Sequence, residues 1–372
     1  MKKLLVLGTS HSQLDLVKVA KDMGIYVVAV GMSEEDIAVK YVDKYIKGNI
    51  LDTEKIDAIV KEENIDAIFT LGLEIALPVM TKVSIDNNLR SFITEESLEK
   101  FANKYVWRRE IGDIPANIYA VSGSKVEDFL TFDRYPAVLK PADGSGQRGV
   151  REVANYEEVR ELFDDSISYS KKKLLILEEY APGDEISVNA FMYNGKLAFY
   201  VISDRISYDE YPGGIVKEHH IPSKYDNEEV RAKIEQLIET VSEKMDYQNG
   251  HVYYQLKVSG NSPKLIEFTP RYDGCHMWNL IKHSMGINLI KASLEWLLYG
   301  KSEEIENYTY NMKDGKYKTV FISDKPATII DRANYHVPDN CQYLNWYYEN
   351  GDKVKKVTGY MEKAGYYIIR EK

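Results

Sequence analysis

The chain has 372 residues, a formal charge of −10, 44% hydrophobic residues and two cysteines, Cys275 and Cys341. The acidic balance argues against nucleic acid as a general partner. Two cysteines give neither a disulfide framework nor zinc-ligand spacing, which fits a reducing cytoplasm. No stretch approaches the ~20 apolar residues of a membrane span.

Length predicts about two or three domains. Met1-Lys2-Lys3 before the apolar run Leu4–Leu7 has the charge of a short signal peptide. The run stops at Gly8-Thr9-Ser10-His11 with no small-residue cleavage site, so a buried first strand is expected instead. Gly8–Ser12 is then a turn and Leu14–Met23 a helix, with Leu14, Val17, Ala20 and Met23 at helical spacing. Tyr26–Val30 is a second strand. Ile56–Glu62 is helical, with Asp52-Thr53 as its cap. Ala67–Thr70 is a third strand and Leu73–Ser84 a helix. This alternation predicts a parallel sheet with crossover helices, whose ligand edge lies at the carboxyl ends of the strands. Gly8–Ser12 and Thr70–Glu74 fall on that edge. One glycine stands where G-x-G-x-x-G needs three, so a dinucleotide site is not expected. His11, without partners at metal spacing, is expected to be a solvated or hydrogen-bonded turn residue.

From Ser97 the pattern changes. A helix over Leu98–Arg109 leads through the turn Gly112–Pro115 to a strand at Ile118–Val121 and a helix at Lys125–Leu130. A strand ending at Lys140-Pro141 runs into a glycine loop. Helix Tyr156–Phe163 and strands Leu174–Glu178 and Glu185–Tyr193 follow, and Asn194-Gly195 marks a hairpin into Leu197–Ser203. Helix Glu228–Lys244, strands Val252–Val258 and Lys264–Phe268, and helix Asn288–Leu298 come next. Short strands at Thr319–Ser323 and Tyr366–Ile369 complete the chain.

Three segments carry chemistry. In the first, a strand delivers Lys140, and Gly144, Ser145, Gly146, Gln147 and Gly149 follow closely. Glycines let backbone N–H groups converge on phosphate oxygens, and lysine adds a point charge. The spacing is not that of a Walker loop. Alone, the loop reads equally well as a flexible connector. In the second, Glu178-Glu179-Tyr180-Ala181 ends a strand with a carboxylate and a short hinge, and Glu185 follows. A hinge backbone can pair with adenine and a carboxylate can accept from ribose hydroxyls, although an isolated acidic hairpin would be merely solvated. In the third, alternation puts Glu267 and Thr269 on one face of a strand, with Gln255 on its neighbour. Such oxygen ligands suit Mg²⁺ bound partly through substrate phosphates. Arg271 lies just beyond, where a guanidinium can grip phosphate.

In this order, the three segments resemble the ATP-grasp superfamily, and within it the carbamoyl-phosphate-synthase-like and amino-acid-ligase-like members. The resemblance implies an α/β fold: a parallel-sheet pre-ATP-grasp domain over residues 1–95, a two-lobed ATP-grasp domain over 96–300 and a small C-terminal lobe over 301–372. The nucleotide lobe would run to about residue 180 and the catalytic lobe from about 181. It implies ATP with Mg²⁺, or Mn²⁺ in its place. It makes Lys104 the first ATP lysine and Lys140 the second, and Gly144–Gly149 the flap over the phosphates. Glu178, Glu179, Tyr180 and Ala181 become the adenine hinge, and Glu185 the ribose carboxylate. Gln255 and Glu267 become metal ligands, and Arg271 the arginine that stabilises the transferring phosphoryl group. The sequence departs at Thr269, where the family usually has asparagine; a hydroxyl is shorter and a weaker ligand.

The implied activity is a cytoplasmic carboxylate–amine ligase working through an acyl-phosphate, catalysed by Arg271, Lys140 and Arg205, with positioning and charge neutralisation dominating. Arg205, Lys217, His219, His220, Asp273 and Gly274 are the candidates for substrate contact, beside a Pro212-Gly213-Gly214 run suited to a mobile segment. His276 and His283 are expected on surfaces near the site. Expected partners are a small carboxylate and a small amine, with no nucleic acid and no membrane, and a homodimer is compatible. Two other readings share the fold: a bicarbonate-activating enzyme of the carbamoyl-phosphate-synthase or biotin-carboxylase type, and a non-catalytic ATP-binding regulator.

Overall fold

The computed structural model describes residues 1–144, 148–211 and 214–371. The N-terminal part holds β1 (Lys3–Leu7), α1 (His11–Asp22), β2 (Tyr26–Gly31), β3 (Lys44–Lys47), α2 (Thr53–Glu63), β4 (Ala67–Phe69) and α3 (Leu77–Asp86). The strands form a parallel sheet in the order β3–β2–β1–β4. Leu4–Leu7 and Val27–Val30 are fully enclosed, as strands covered on both faces must be. Asp52 caps α2 by accepting from the Lys55 amide, as predicted. β3 was not predicted: Lys-Tyr-Ile-Lys is a half-exposed edge with little apolar pattern, and its pairing to β2 defines it.

The predicted helix Leu98–Arg109 is two helices, α4 (Glu95–Phe101) and α5 (Lys104–Ile111). Asn103 separates them. Its backbone is extended and its Oδ1 accepts from the amides of Tyr105 and Val106, a strong N-cap. Lys104 thereby becomes the first residue of α5, and its own amide donates to the Ala142 carbonyl.

The next unit is a four-stranded antiparallel sheet, order β5–β8–β6–β7, from β5 (Ala120–Gly123), β6 (Ala137–Pro141), β7 (Arg151–Val153) and β8 (Leu175–Glu179). With α6 (Tyr156–Ser168) it encloses a hydrophobic core of its own, centred on Phe129, Leu139, Val159, Phe163 and Leu177. The predicted helix Lys125–Leu130 is only a 3₁₀ turn over Val126–Phe129.

The largest sheet has eight antiparallel strands in the order β13–β12–β9–β10–β11–β14–β16–β15. They are β9 (Asp184–Tyr193), β10 (Lys196–Ser207), β11 (Val216–Ile221), β12 (Gly250–Ser259), β13 (Ser262–Thr269), β14 (Lys316–Asp324), β15 (Tyr343–Trp346) and β16 (Glu362–Glu371). Asn194 and Gly195 both take positive φ, as a tight hairpin turn requires. α7 (Glu228–Lys244) has the predicted bounds and buries Val230, Ile234, Leu237, Ile238 and Val241. β11 was expected to be loop. Its Lys-Glu-His-His sequence carries no strand pattern, but β10 and β14 hydrogen-bond it on both sides. α8 (Met277–Met285) also went unpredicted, despite buried residues at helical spacing; α9 (Leu289–Tyr299) follows it. β14, β15 and β16 extend the large sheet, with a small apolar cluster of Ile322, Ile330, Val354 and Ala364.

The carboxyl edge of the N-terminal sheet bears on the segment that follows β13. Gly72 has φ +69°, and a Cβ there would lie 3.3 Å from the Asp273 carbonyl oxygen. Asp15 of α1, almost fully buried, accepts from Trp278 Nε1 and Asn279 Nδ2, both at 2.9 Å, and contacts His276 Nδ1 at 3.2 Å. Among the described residues no helix is long and apolar enough to cross a membrane.

Candidate nucleotide and metal site

The register of the large sheet brings polar residues into one row. Glu267 on β13 pairs with Gln255 on β12, Gln255 with Ser187 on β9, Ser187 with Ser203 on β10, and Arg205 with His219 on β11. A bulge helps. Gln255 pairs with Glu267 but Leu256 with Leu265, which leaves Ile266 unmatched, and Ile266 and Glu267 both reach the same cavity.

That cavity, about 360 Å³, lies between the small sheet and the large one. Lys104, Lys140, Gly144, Glu178, Glu179, Tyr180, Ala181, Glu185, Gln255 and Glu267 all line it. Residues separated by more than 160 positions thus share one space. Ile118, Val138, Tyr180, Ala181 and Ile266 supply an apolar wall, Arg148 of the expected flap adds a charge, and Glu152 and Lys257 add charges that no motif had marked. Ser145, Gly146 and Gln147, expected in the phosphate flap, lie outside the described residues, as do Pro212 and Gly213. Gly149 has φ +72° and packs near the Tyr169 ring and the Ser166 carbonyl.

Lys104, Lys140, Arg205 and Arg271 are each matched to an acid. Lys104 Nζ lies 2.7 Å from Glu267 Oε1 and 3.2 Å from the Gly144 carbonyl oxygen. Lys140 Nζ lies 2.5 Å from Glu178 Oε2, while Arg108 bonds the other Glu178 oxygen. Arg205 bonds Glu185, which also accepts from Gln255 Nε2 at 3.1 Å. Arg271 Nη2 lies 2.9 Å from Glu74 Oε2, on the carboxyl edge of the N-terminal sheet.

These pairs set the charge states. Burial pushes the Glu267 carboxyl up, but Lys104, with Lys140 and Arg271 behind it, holds it below the usual carboxylate range. Burial would lower Lys104, and Glu267 outweighs it and raises the ammonium. Glu178 is likewise held down, with Arg108 and Lys140 overcoming its burial. Lys140 goes the other way: burial, aided by Arg108 and Lys104, draws it below the usual lysine value.

Arg108 carried no sequence signal, because an arginine on a helix ordinarily reads as solvated. It is 3% exposed. Besides Glu178 it donates to the carbonyls of Leu265 (3.0 Å) and Ile266 (3.2 Å), tying the small sheet to the bulge of β13.

Other candidates fall elsewhere. Thr269 ends β13, buried. His219 turns inward, fully buried, while His220 pairs with Glu218 at 2.7 Å. Lys217 is exposed at a register shift, 5.8 Å from the Tyr208 ring centroid. Asp273 is buried, and its Oδ1 accepts from the amides of Cys275 and Met277; Gly274 follows it, near Gly72.

His276 is not on the surface as expected. It is 2% exposed, with φ +55°, held between Asp15 and the Tyr347 hydroxyl (2.6 Å). His283 is half-buried on α8. His11, expected as a solvated or hydrogen-bonded turn residue, is the first residue of α1. It stacks on Tyr347 at 4.1 Å, and burial lowers its pKa to about 4.

A second cavity, about 800 Å³, opens between the Ser10-His11 turn and the C-terminal strands, lined also by Asp36, Lys40, Tyr347 and Lys363. Lys363 connects it to the polar row, reaching Cys275 Sγ at 3.5 Å.

Residues 133–278 match the ATP-grasp domain. The chain is 27% identical over 284 residues to the formate-dependent phosphoribosylglycinamide formyltransferase of Sulfurisphaera tokodaii, covering 73% of this chain and 70% of that protein. It spans about half the length of the same-named proteins of Prochlorococcus marinus and Sulfolobus acidocaldarius. Among solved structures it resembles phosphoribosylglycinamide synthetase from Anaerococcus prevotii, with TM-score 0.81, 18% identity, and 100% of this chain and 94% of that one covered. The L-amino acid ligase of Bacillus licheniformis matches with TM-score 0.79 and 17% identity over 99% of this chain and 93% of that one.

Proposed function

We propose that this chain, whose residues 133–278 match the ATP-grasp domain, joins a small carboxylate to a small amine through an acyl-phosphate, releasing ADP and phosphate. The observation that carries the reading is the pair of ion pairs lining the 360 Å³ cavity, Lys104–Glu267 and Lys140–Glu178. With magnesium and nucleotide bound, Glu267 would face the metal and Lys104 a phosphate. Glu267 already holds its charge against burial, as a metal ligand must.

In this reading Glu267 and Gln255 hold Mg²⁺, or Mn²⁺, with Thr269 as a weaker or water-mediated third contact. Lys104 and Lys140 hold phosphates beneath the Gly144–Gly149 flap, in which Ser145, Gly146 and Gln147 belong. The backbone of Glu179, Tyr180 and Ala181 faces adenine, and Glu185 the ribose. Glu178 orients Lys140. Bound metal supplies charge neutralisation at the transferring phosphoryl group. Arg271, held by Glu74, adds its guanidinium to the same charge, and Arg205 holds the acid. The second cavity, reached through Lys363, receives the substrates. Residues 1–95, 96–300 and 301–372 serve as substrate-facing, nucleotide and closing units. The working context is cytoplasmic, and a homodimer is compatible with it.

The test is product analysis. Phosphate release should require an added acid and amine, and yield ADP. Label in the carboxylate oxygen should appear in phosphate, and hydroxylamine should trap the activated acid as a hydroxamate when the amine is withheld. AMP as product overturns the reading. Phosphate release with bicarbonate alone moves the chain to the bicarbonate-activating class, and ATP binding without any turnover to a regulator.

A further inference from the structure

Beyond Arg205 the polar row ends in a cluster that ATP chemistry does not use. His219 of β11, with Asp273 and Cys275 of the segment after β13, each place one ligand atom so that all three lie within 4.8 Å of one another. His219 is fully buried and Asp273 is 3% exposed. His219 Nε2 and Asp273 Oδ2 are both buried without a hydrogen-bond partner. Buried polar atoms are nearly always satisfied, so two orphans in one cluster call for a ligand.

The remaining atoms of both side chains are fixed. His219 Nδ1 contacts Ser203 Oγ at 3.4 Å, and Asp273 Oδ1 accepts from the amides of Cys275 (3.1 Å) and Met277 (3.3 Å). Such outer contacts orient a metal ligand and leave its second atom for the ion.

We propose that His219, Asp273 and Cys275 form a site for one borderline-soft divalent cation of the zinc class, separate from the magnesium site at Glu267. An imidazole nitrogen, a carboxylate oxygen and a thiolate sulfur suit zinc, whereas magnesium takes oxygen ligands almost exclusively. Three protein ligands leave a fourth position for water or a polar group of the substrate. Arg205 is matched by Glu185, and Lys363 donates toward Cys275 Sγ, where it would stabilise a thiolate formed on metal binding; burial holds the metal-free thiol above its usual value. On binding, the thiol proton passes to solvent. The ion enters where Cys275 is partly exposed and Lys363 lines the larger cavity.

The test uses the full chain without nucleotide, so its outcome is independent of ligase activity. Zinc content after dialysis should be about one equivalent per chain. Cobalt should give a sulfur-to-metal charge-transfer band in the near ultraviolet. Cys275→Ser should lose that band, and Cys341→Ser, checked for fold by circular dichroism, should keep it. Asp273→Asn and His219→Ala should weaken uptake, and Ser203→Ala should weaken it by about 10–100-fold. Zinc no higher than the dialysis buffer, or a band that survives Cys275→Ser, overturns the proposal.

Discussion

Glu178→Gln should destabilise the small sheet more than any other single change in the nucleotide cavity. The carboxylate is 3% exposed and sits between Arg108 and Lys140. Losing its charge strands two buried cations, and breaking a buried pair from one side costs about 3–5 kcal/mol. The two cations differ. Arg108 keeps Asn117 Oδ1 and the carbonyls of Leu265 and Ile266, so most of the cost falls on Lys140.

Lys140→Met in the same background should therefore recover part of the loss, with a coupling of about 1–3 kcal/mol. Lys140 is already drawn down by burial, and without Glu178 it sheds its proton more readily still. A lysine whose folded pKa lies below its unfolded value gains stability as pH rises between the two, so the penalty should shrink as pH rises toward the usual lysine value. Global denaturation would mix several units. Hydrogen exchange of the β6 and β8 amides reads this one alone. Protection in Glu178→Gln within about 0.5 kcal/mol of the parent, or strict additivity in the double variant, would refute the argument.

Glu267→Gln should depress turnover far more than nucleotide affinity, while Thr269→Asn keeps activity; steady-state kinetics beside ATP titration separates the two. Arg271→Ala should lower kcat with a smaller effect on ATP affinity, whereas Arg205→Ala should act mainly on the KM of the acid. Asn103→Ala should cost about 1 kcal/mol through the lost cap and raise the KM for ATP, since Lys104 opens that helix. Acid should destabilise the chain through His251, whose pKa burial lowers to about 3. Its unfolded value is about 6.5, so stability is lost as pH falls below that value, and His251→Gln should flatten that limb of an acid-unfolding curve.

Much of the candidate site could be read before folding was known, because each piece has a local signature: a strand delivering Lys140 into glycines, a hinge between Glu178 and Glu185, and Glu267 alternating with Thr269 on β13. Their meeting in one cavity follows from strand order, which no local pattern encodes. Three features left no trace. Arg108 acts through burial, and a helical arginine looks the same in solvent. β11 is a strand because β10 and β14 flank it. Asn103 stops a helix whose apolar spacing runs on unbroken, since an asparagine cap and an asparagine within a helix are spelled alike. His276 was misjudged because it reads as a surface residue in isolation, whereas Tyr347, just past β15, packs against it and against His11.

The contact between the N-terminal sheet and the segment after β13 sets a rule for recombination. Exchanging residues 1–95 with those of a relative looks like a clean swap of one unit. It would also exchange the acceptor shared by Trp278 and Asn279, the residue whose missing Cβ admits the Asp273 carbonyl, and the carboxylate that holds Arg271. A chimera that leaves Asp15, Gly72 and Glu74 behind would lose the contacts that hold Trp278, Asn279 and Arg271 in place. Those three positions must travel with the residues they contact, and so must the others that cross the same seam, such as His11 on Tyr347, Phe69 on Tyr272 and Phe92 on Trp296.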